Sequence, residues 1–179
     1  MTNYVYIATS LDGFIATSNG GIDWLNNIPN LDQNDYGYSD FIKKIDAIVM
    51  GKNTFQKVLS FNKWPYDKFV FVLSNSLKEL PKNITENAEI INGDIKKLMK
   101  KLTQRGFNNL YVDGGGAIRS FLKEDLIDEI IITRVPILLG DGIPLFNKLD
   151  QKLKFKHKKT NIYNNSLVKS HYTRERVKY

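Results

Sequence analysis

Apolar positions along the chain follow two rhythms, and the two alternate. Short, nearly unbroken apolar runs recur at NYVYIATS (3–10), DAIVMG (46–51), KFVFVLS (68–74), AEIING (88–93), NLYVDG (109–114) and DEIIITRVPILLG (128–140). Such runs lack the every-other-residue polarity of a one-faced sheet, so they predict strands covered on both sides. Between them the spacing becomes helical. Ile95, Leu98, Met99 and Leu102 fall at i, i+3, i+4 and i+7, with Asp94 placed to cap the start and Gly106 to end it. A second helix is expected to end around Ile45 with Phe41 and Ile42 inward. A third follows Asn53, and a fourth carries Ala117, Ile118, Phe121 and Leu122. This alternation predicts an α/β fold with a mostly parallel sheet and helices on both faces. The segment SLVKSHYTRERV (166–177) has no helical spacing and is expected to close the sheet as an antiparallel strand.

A chain of 179 residues, 42% hydrophobic, can bury one substantial core, and no repeat or linker divides it. Residues 1–179 therefore read as a single domain. The absence of cysteine excludes disulfides, thiolate metal sites and a cysteine nucleophile, and it fits a reducing compartment. His157 and His171 are the only histidines and lie in a basic stretch, so no metal site is expected. The N-terminus has neither the basic start of a signal peptide nor an apolar run long enough to span a membrane. A cytoplasmic protein without a membrane partner is expected. The net charge of +7 is concentrated locally: six lysines between Lys148 and Lys159 face one acid, Asp150. Phe155 is the only Phe, Trp or Tyr among them, so a solvated strand or loop is favoured over a nucleic-acid stacking surface.

The stretch LYVDGGGAIRSFL (110–122) raises the chemical question, because three glycines follow Asp113 between a strand and a helix. Glycine is costly to order, so a triplet there suggests either a tight turn or a close approach to bare backbone. A strand ending at Asp113 and a helix starting near Ala117 would present N–H groups and a helix N-terminus to an anion. VMGKNTF (49–55) repeats the arrangement with Gly51, Lys52, Asn53 and Thr54, where Asn53 or Thr54 can cap the helix and Lys52 can meet a phosphate. Two such junctions suit a dinucleotide.

SLDGFIA (10–16), GIDWL (21–25), VMGKNTF, YVDGGGAIRSFL (111–122) and DLIDEIIITRVPILLGDGIPLF (125–146) stand in this order over nearly the whole chain. Together they resemble the dihydrofolate reductase-like superfamily, and within it the group of the riboflavin-biosynthesis reductase (RibD C-terminal) domain. The resemblance implies a three-layer fold around an eight-stranded sheet, NADPH as hydride donor, and a pyrimidine- or pteridine-like substrate. The implied activity resembles 5-amino-6-(5-phosphoribosylamino)uracil reductase. A dihydrofolate or pteridine reductase, or a non-catalytic nucleotide- or nucleic-acid-binding module, are the alternatives. The cysteine-rich deaminase domain of bifunctional relatives is not expected to accompany it.

By the same resemblance, Gly51, Lys52, Asn53 and Thr54 hold the adenosine-side phosphates, and Leu73, Ser74 and Asn75 lie beside the adenosine ribose. Gly114, Gly115, Gly116, Ala117 and Ile118 hold the pyrophosphate and nicotinamide half, with a cis peptide between Gly114 and Gly115. Lys52 stands where the family usually has arginine; it keeps the charge but not the planar fork that grips a 2′-phosphate. Asp12 and Asp113 are the carboxylates expected near the nicotinamide, each with a turn or cap as the structural alternative. Asp23 and Trp24 fall on the substrate-side flap, where Trp24 stacks on a flat ring or packs in the core. Asp35 stands 16 residues before Gly51, the interval of the dihydrofolate reductase acid. The long apolar run with its Gly-Asp-Gly suggests a projecting hairpin, and relatives dimerise there, which implies a homodimer.

Overall fold

The computed structural model describes residues 1–26, 28, 33–61 and 63–176. At its centre is an eight-stranded sheet built from β1 (Thr2–Thr9), β3 (Ala47–Gly51), β4 (Phe69–Leu73), β5 (Ala88–Ile91), β6 (Asn109–Asp113), β7 (Glu129–Arg134), β9 (Phe155–Tyr163) and β10 (Leu167–Arg174). Their order is β5-β4-β3-β6-β1-β7-β10-β9, and every pairing from β5 to β7 is parallel. As expected, 166–177 supplies an antiparallel strand, β10, which pairs with both β7 and β9; Val177 itself lies outside the described residues.

The unbroken apolar runs follow from burial on both faces. Along β3, Ala47 and Val49 join one core with Phe71, Val112, Ile118 and Phe121, while Ile48 and Met50 join the other with Phe41, Phe55, Val58 and Tyr111. Helices α4 (Ile95–Gln104) and α5 (Gly115–Lys123) supply the first layer; α2 (Tyr38–Ile42) and α3 (Lys52–Leu59) supply the second. Short helix α1 (Asp23–Asn26) lies to one side. Asp94 caps α4 by accepting from Lys97 N at 2.8 Å, and Gly106 leaves the helix at φ +92°.

The apolar run 128–140 is not one strand. β7 stops at Arg134 because Pro136 has no N–H to continue a ladder, and Ile137 N turns back to the Val135 carbonyl. The Gly-Asp-Gly stretch is consequently no hairpin tip: beyond it β8 (Ile143–Pro144) pairs antiparallel with β2 (Phe14–Ala16), far away in sequence. The lysine run does form a solvated surface. Most of it lies on or beside edge strand β9, where exposed lysines oppose pairing with another chain.

Candidate active site

The ladder between β1 and β6 ends at the Tyr4–Tyr111 register, although both strands run further. The strands separate there, and a cleft of about 1260 Å³ opens along the carboxyl ends of the parallel strands, the usual ligand position in such sheets. Ile7, Ala8 and Asp113 line it together with Leu73, Ser74 and Asn75 from the end of β4. Both glycine junctions border it: Gly51, Lys52, Asn53 and Thr54 on one side, Gly114, Gly115, Gly116 and Ala117 on the other. Ile118 is the exception among the expected cofactor residues. It is fully buried in the core, and its N–H closes the first helical turn on the Gly114 carbonyl at 3.0 Å.

The α3 junction corrects one expectation. Neither Asn53 nor Thr54 caps the helix; Gly51 is the N-cap, no side chain accepts from the first turn, and α5 after Gly114 is the same. Both helix starts therefore keep their first-turn N–H groups for a ligand. Lys52 Nζ donates to Ser76 Oγ at 3.2 Å, and the Ser74 hydroxyl fixes that turn by accepting from Ser76 N and Leu77 N.

Each glycine of the triplet has its own cause. Gly114 has φ +82°, and a Cβ there would sit 1.9 Å from Thr54 Oγ1. At Gly115 a Cβ would meet Ile15 Cδ1 at 2.6 Å and Arg119 Nη1 at 2.7 Å. Only Gly116 has open space where its Cβ would be, and it is exposed to the cleft. The cis peptide expected between Gly114 and Gly115 is absent; the described residues contain none, and the positive φ of Gly114 turns the chain instead.

Asp113 is the one carboxylate lining the cleft among the described residues. Its Oδ2 accepts from the Tyr66 hydroxyl at 3.2 Å, and its Oδ1 lies 3.1 Å from the Tyr111 hydroxyl. Burial pushes its carboxyl above the ordinary range, while the two phenols pull it down. Tyr66 also lines the cleft, braced by Trp64, which contacts Phe55. The sequence reading passed over Tyr66; its one local signal is an aromatic-proline-aromatic run, WPY, before a strand.

The other acids do not reach the cleft. Asp12 is exposed and acts as a clamp: its carboxylate accepts from Ser10 Oγ at 2.5 Å and Gly140 N at 2.8 Å, with Leu139 N at 3.3 Å. Those bonds, the Ser10 hydroxyl first, hold its pKa below the usual value. Asp35 accepts from Gly37 N and Ser39 N; the Ser39 hydroxyl first, then these two N–H groups, lower its pKa to about 2, and it does not line the cleft. Trp24 is 8% exposed and packs with Val135 and Leu167. Trp24 and Asp23 border a smaller hollow of about 540 Å³ with Thr17, Ser18, Asn19 and Gly21, whereas Ile22 and Leu25 from the same segment face the main cleft. The two residues expected on the substrate-side flap thus do not line the main cleft, and the segment presents aliphatic side chains to it.

Residues 4–169 match the model of the RibD C-terminal domain. The chain belongs to that family. It is 37% identical over 173 residues to the uncharacterized protein YwjB of Bacillus subtilis, covering 95% of this chain and 96% of that one. It is also 31% identical over 118 residues to the 5-amino-6-(5-phosphoribosylamino)uracil reductase of Buchnera aphidicola, covering 64% and 57% of the two chains. A Shewanella sp. PV-4 protein of solved structure superposes with a TM-score of 0.95 at 47% identity, over 98% of this chain and 100% of that one. Dihydrofolate reductase from Enterococcus faecalis superposes at 0.67 with 11% identity, over 98% and 97%, so the RibD C-terminal domain here has the dihydrofolate reductase-like fold. No helix among the described residues is long and apolar enough to cross a membrane.

Proposed function

We propose that this RibD C-terminal domain is an NADPH-dependent reductase of a pyrimidine-type substrate, resembling the reductase that acts on 5-amino-6-(5-phosphoribosylamino)uracil. The observation that carries this reading is the placement of Asp113 between two uncapped helix starts on one cleft. A dinucleotide fits the cleft on the chain's own geometry: Gly116 leaves open space beside the α5 N–H groups, and Lys52 and Ser76 form a cation–hydroxyl pair beside the other junction. When bound, the reduced nicotinamide supplies a hydride to a carbon–nitrogen double bond of the substrate. Asp113 supplies the matching proton to the nitrogen, and Ile22 and Leu25 at the rim exclude water from the flat ring. The dihydrofolate alternative is disfavoured because Asp35 spends its carboxylate on backbone N–H groups outside the cleft.

Following NADPH oxidation by the purified protein tests the reading, with the aminouracil phosphate and dihydrofolate as competing substrates. Turnover of the first and not the second is expected; turnover of neither, with no nucleotide binding, would sink it. The site fits an enzyme acting on a small molecule. Leu11, Ile137 and Leu138 are 55%, 37% and 68% exposed, and the Leu11 N–H to Ile137 carbonyl bond joins them into one apolar patch. That patch supports a two-fold homodimer. Light scattering giving the mass of a monomer, 20.6 kDa, at working concentration would count against it.

A further inference from the structure

Tyr111 has one hydroxyl proton and two acceptors within reach. Its oxygen lies 2.9 Å from the Tyr6 carbonyl oxygen and 3.1 Å from Asp113 Oδ1. If Asp113 were ionised, all three oxygens would share a single proton, and one short oxygen–oxygen contact would hold none. Two oxygens that face each other through lone pairs at that separation repel, and here the hydroxyl belongs to a residue only 6% exposed. The Tyr6 carbonyl can only accept, whereas a protonated Asp113 can donate, so both contacts hold a proton when Tyr111 gives its own to Tyr6. The proton for the second contact has to come from Asp113. On the cleft side, Tyr66 stands 3.2 Å from Oδ2 and has its own proton to give.

We propose that Asp113 rests as a neutral carboxylic acid whose Oδ1–H donates to Tyr111, and that Tyr66 is a positioning residue that donates to Oδ2 and stabilises the carboxylate left after proton release. The use of that proton rests on the reductase reading above, whereas the hydrogen-bond frame belongs to the chain alone. Release to a substrate nitrogen breaks the carboxyl O–H bond and forms an N–H bond, while the hydride forms the C–H bond on the neighbouring carbon. The carboxylate is then matched, because Tyr111 can turn its proton from Tyr6 to Oδ1 while Tyr66 keeps donating to Oδ2. The surroundings agree. Burial pushes Asp113 up against the opposing pull of Tyr111, Tyr66 and the Gly114 N–H, and it keeps Tyr66 and Tyr111 protonated far into the alkaline range. Tyr38 of α2 is the other titratable side chain that acts on this group; Lys52, Lys57 and Arg119 line the same cleft, but none forms an ion pair with Asp113.

Infrared spectroscopy of the free protein at neutral pH tests the proposal without cofactor or substrate. The wild type is expected to show the carbonyl stretch of a protonated carboxyl. Asp113→Asn, which keeps the shape, an N–H for Tyr111 and a carbonyl for Tyr66, is expected to lose it. In Tyr66→Phe the band is expected to persist about one pH unit higher, because a hydrogen bond to the charged form is gone. For the same reason turnover of Tyr66→Phe should fall about tenfold in kcat with little change in KM, while its alkaline limb moves upward. A wild type without the band, or a Tyr66→Phe band that titrates like the wild type, would overturn the proposal. Tight NADPH binding with no band would leave the nucleotide part of the reductase reading standing and defeat this proposal; a band with no nucleotide binding would do the reverse.

Discussion

The two junctions that border the cleft share one plan, strand–glycine–helix, yet they are written in opposite alphabets. At the α3 start the first turn carries Lys52, Asn53 and Thr54; at the α5 start it is stripped to glycine. The contrast is not two independent adaptations to a ligand. Thr54 Oγ1 occupies the space that a Cβ on Gly114 would need, so the side chain of one junction is the reason for the bare backbone of the other. A glycine run beside the proposed phosphate site is thus partly a packing record. Only Gly116, with open space at its Cβ position, has access as its sole physical cause.

Gly114→Val strikes the comparison hardest. The new Cβ would overlap Thr54 Oγ1 and force a β-branched residue to φ +82°. Overpacking and backbone strain each cost about 1–3 kcal/mol, so a loss of roughly 3 kcal/mol or more in denaturant unfolding is expected. Adding Thr54→Gly should return the overlap part and leave the strain. Failure of the second change to restore anything would separate the two junctions again.

Gly116→Ala should act in the contrary direction on folding. In a helix at a compatible conformation, alanine for glycine stabilises by about 0.4–1 kcal/mol. The added methyl enters the cleft beside the α5 N–H groups, so NADPH affinity is expected to fall about tenfold by calorimetry. Unchanged affinity would show that the dinucleotide does not approach this junction. Gly115→Val lies between the two: the far ends of Ile15 and Arg119 can move aside, so stability and affinity should both decline modestly.

Lys52→Ala sharpens the other side of the comparison. A hydrogen bond to a charged group contributes about 1.5 kcal/mol, so a loss of up to tenfold for NADPH and little for NADH is expected. Equal losses for both nucleotides would remove the Lys52–Ser76 pair from 2′-phosphate recognition.

What could be read from the chain was local in cause. The strands around Val49 and Val112 announce burial on both faces, and Asp94 caps its own helix three residues on. What was hidden depends on partners distant in sequence. Asp12 looks like a site acid until its clamp on Gly140 is seen, 128 residues away. Tyr66 meets Asp113 across 47 residues, and no local pattern encodes that meeting. β2 and β8 are too short to carry a period of their own and exist through each other. The triplet was visible as an anomaly, but its reason lay in Thr54.

The smallest expected effect is a slope, and it sets Asp113 against acids that have no part in the cleft. Burial raises the Asp113 pKa in the folded chain above its value when unfolded. Between those two values the native state binds more protons than the unfolded state, so this group's contribution to stability falls as pH rises through the window and is flat above it. Asp12, Asp35, Asp141 and Glu175 behave oppositely. Hydrogen bonds or a lysine lower their pKa, and their contributions are lost as pH falls through the lowered values. The wild-type curve mixes both signs, so the difference between wild type and Asp113→Asn is what isolates the buried acid. Measured as Tm over a pH series, that difference should favour the variant increasingly as pH rises from the ordinary carboxylate range, then level off. A difference that is constant at every pH would mean that folding leaves the proton affinity of Asp113 unchanged, and the acid beside the triplet would then be an ordinary turn residue.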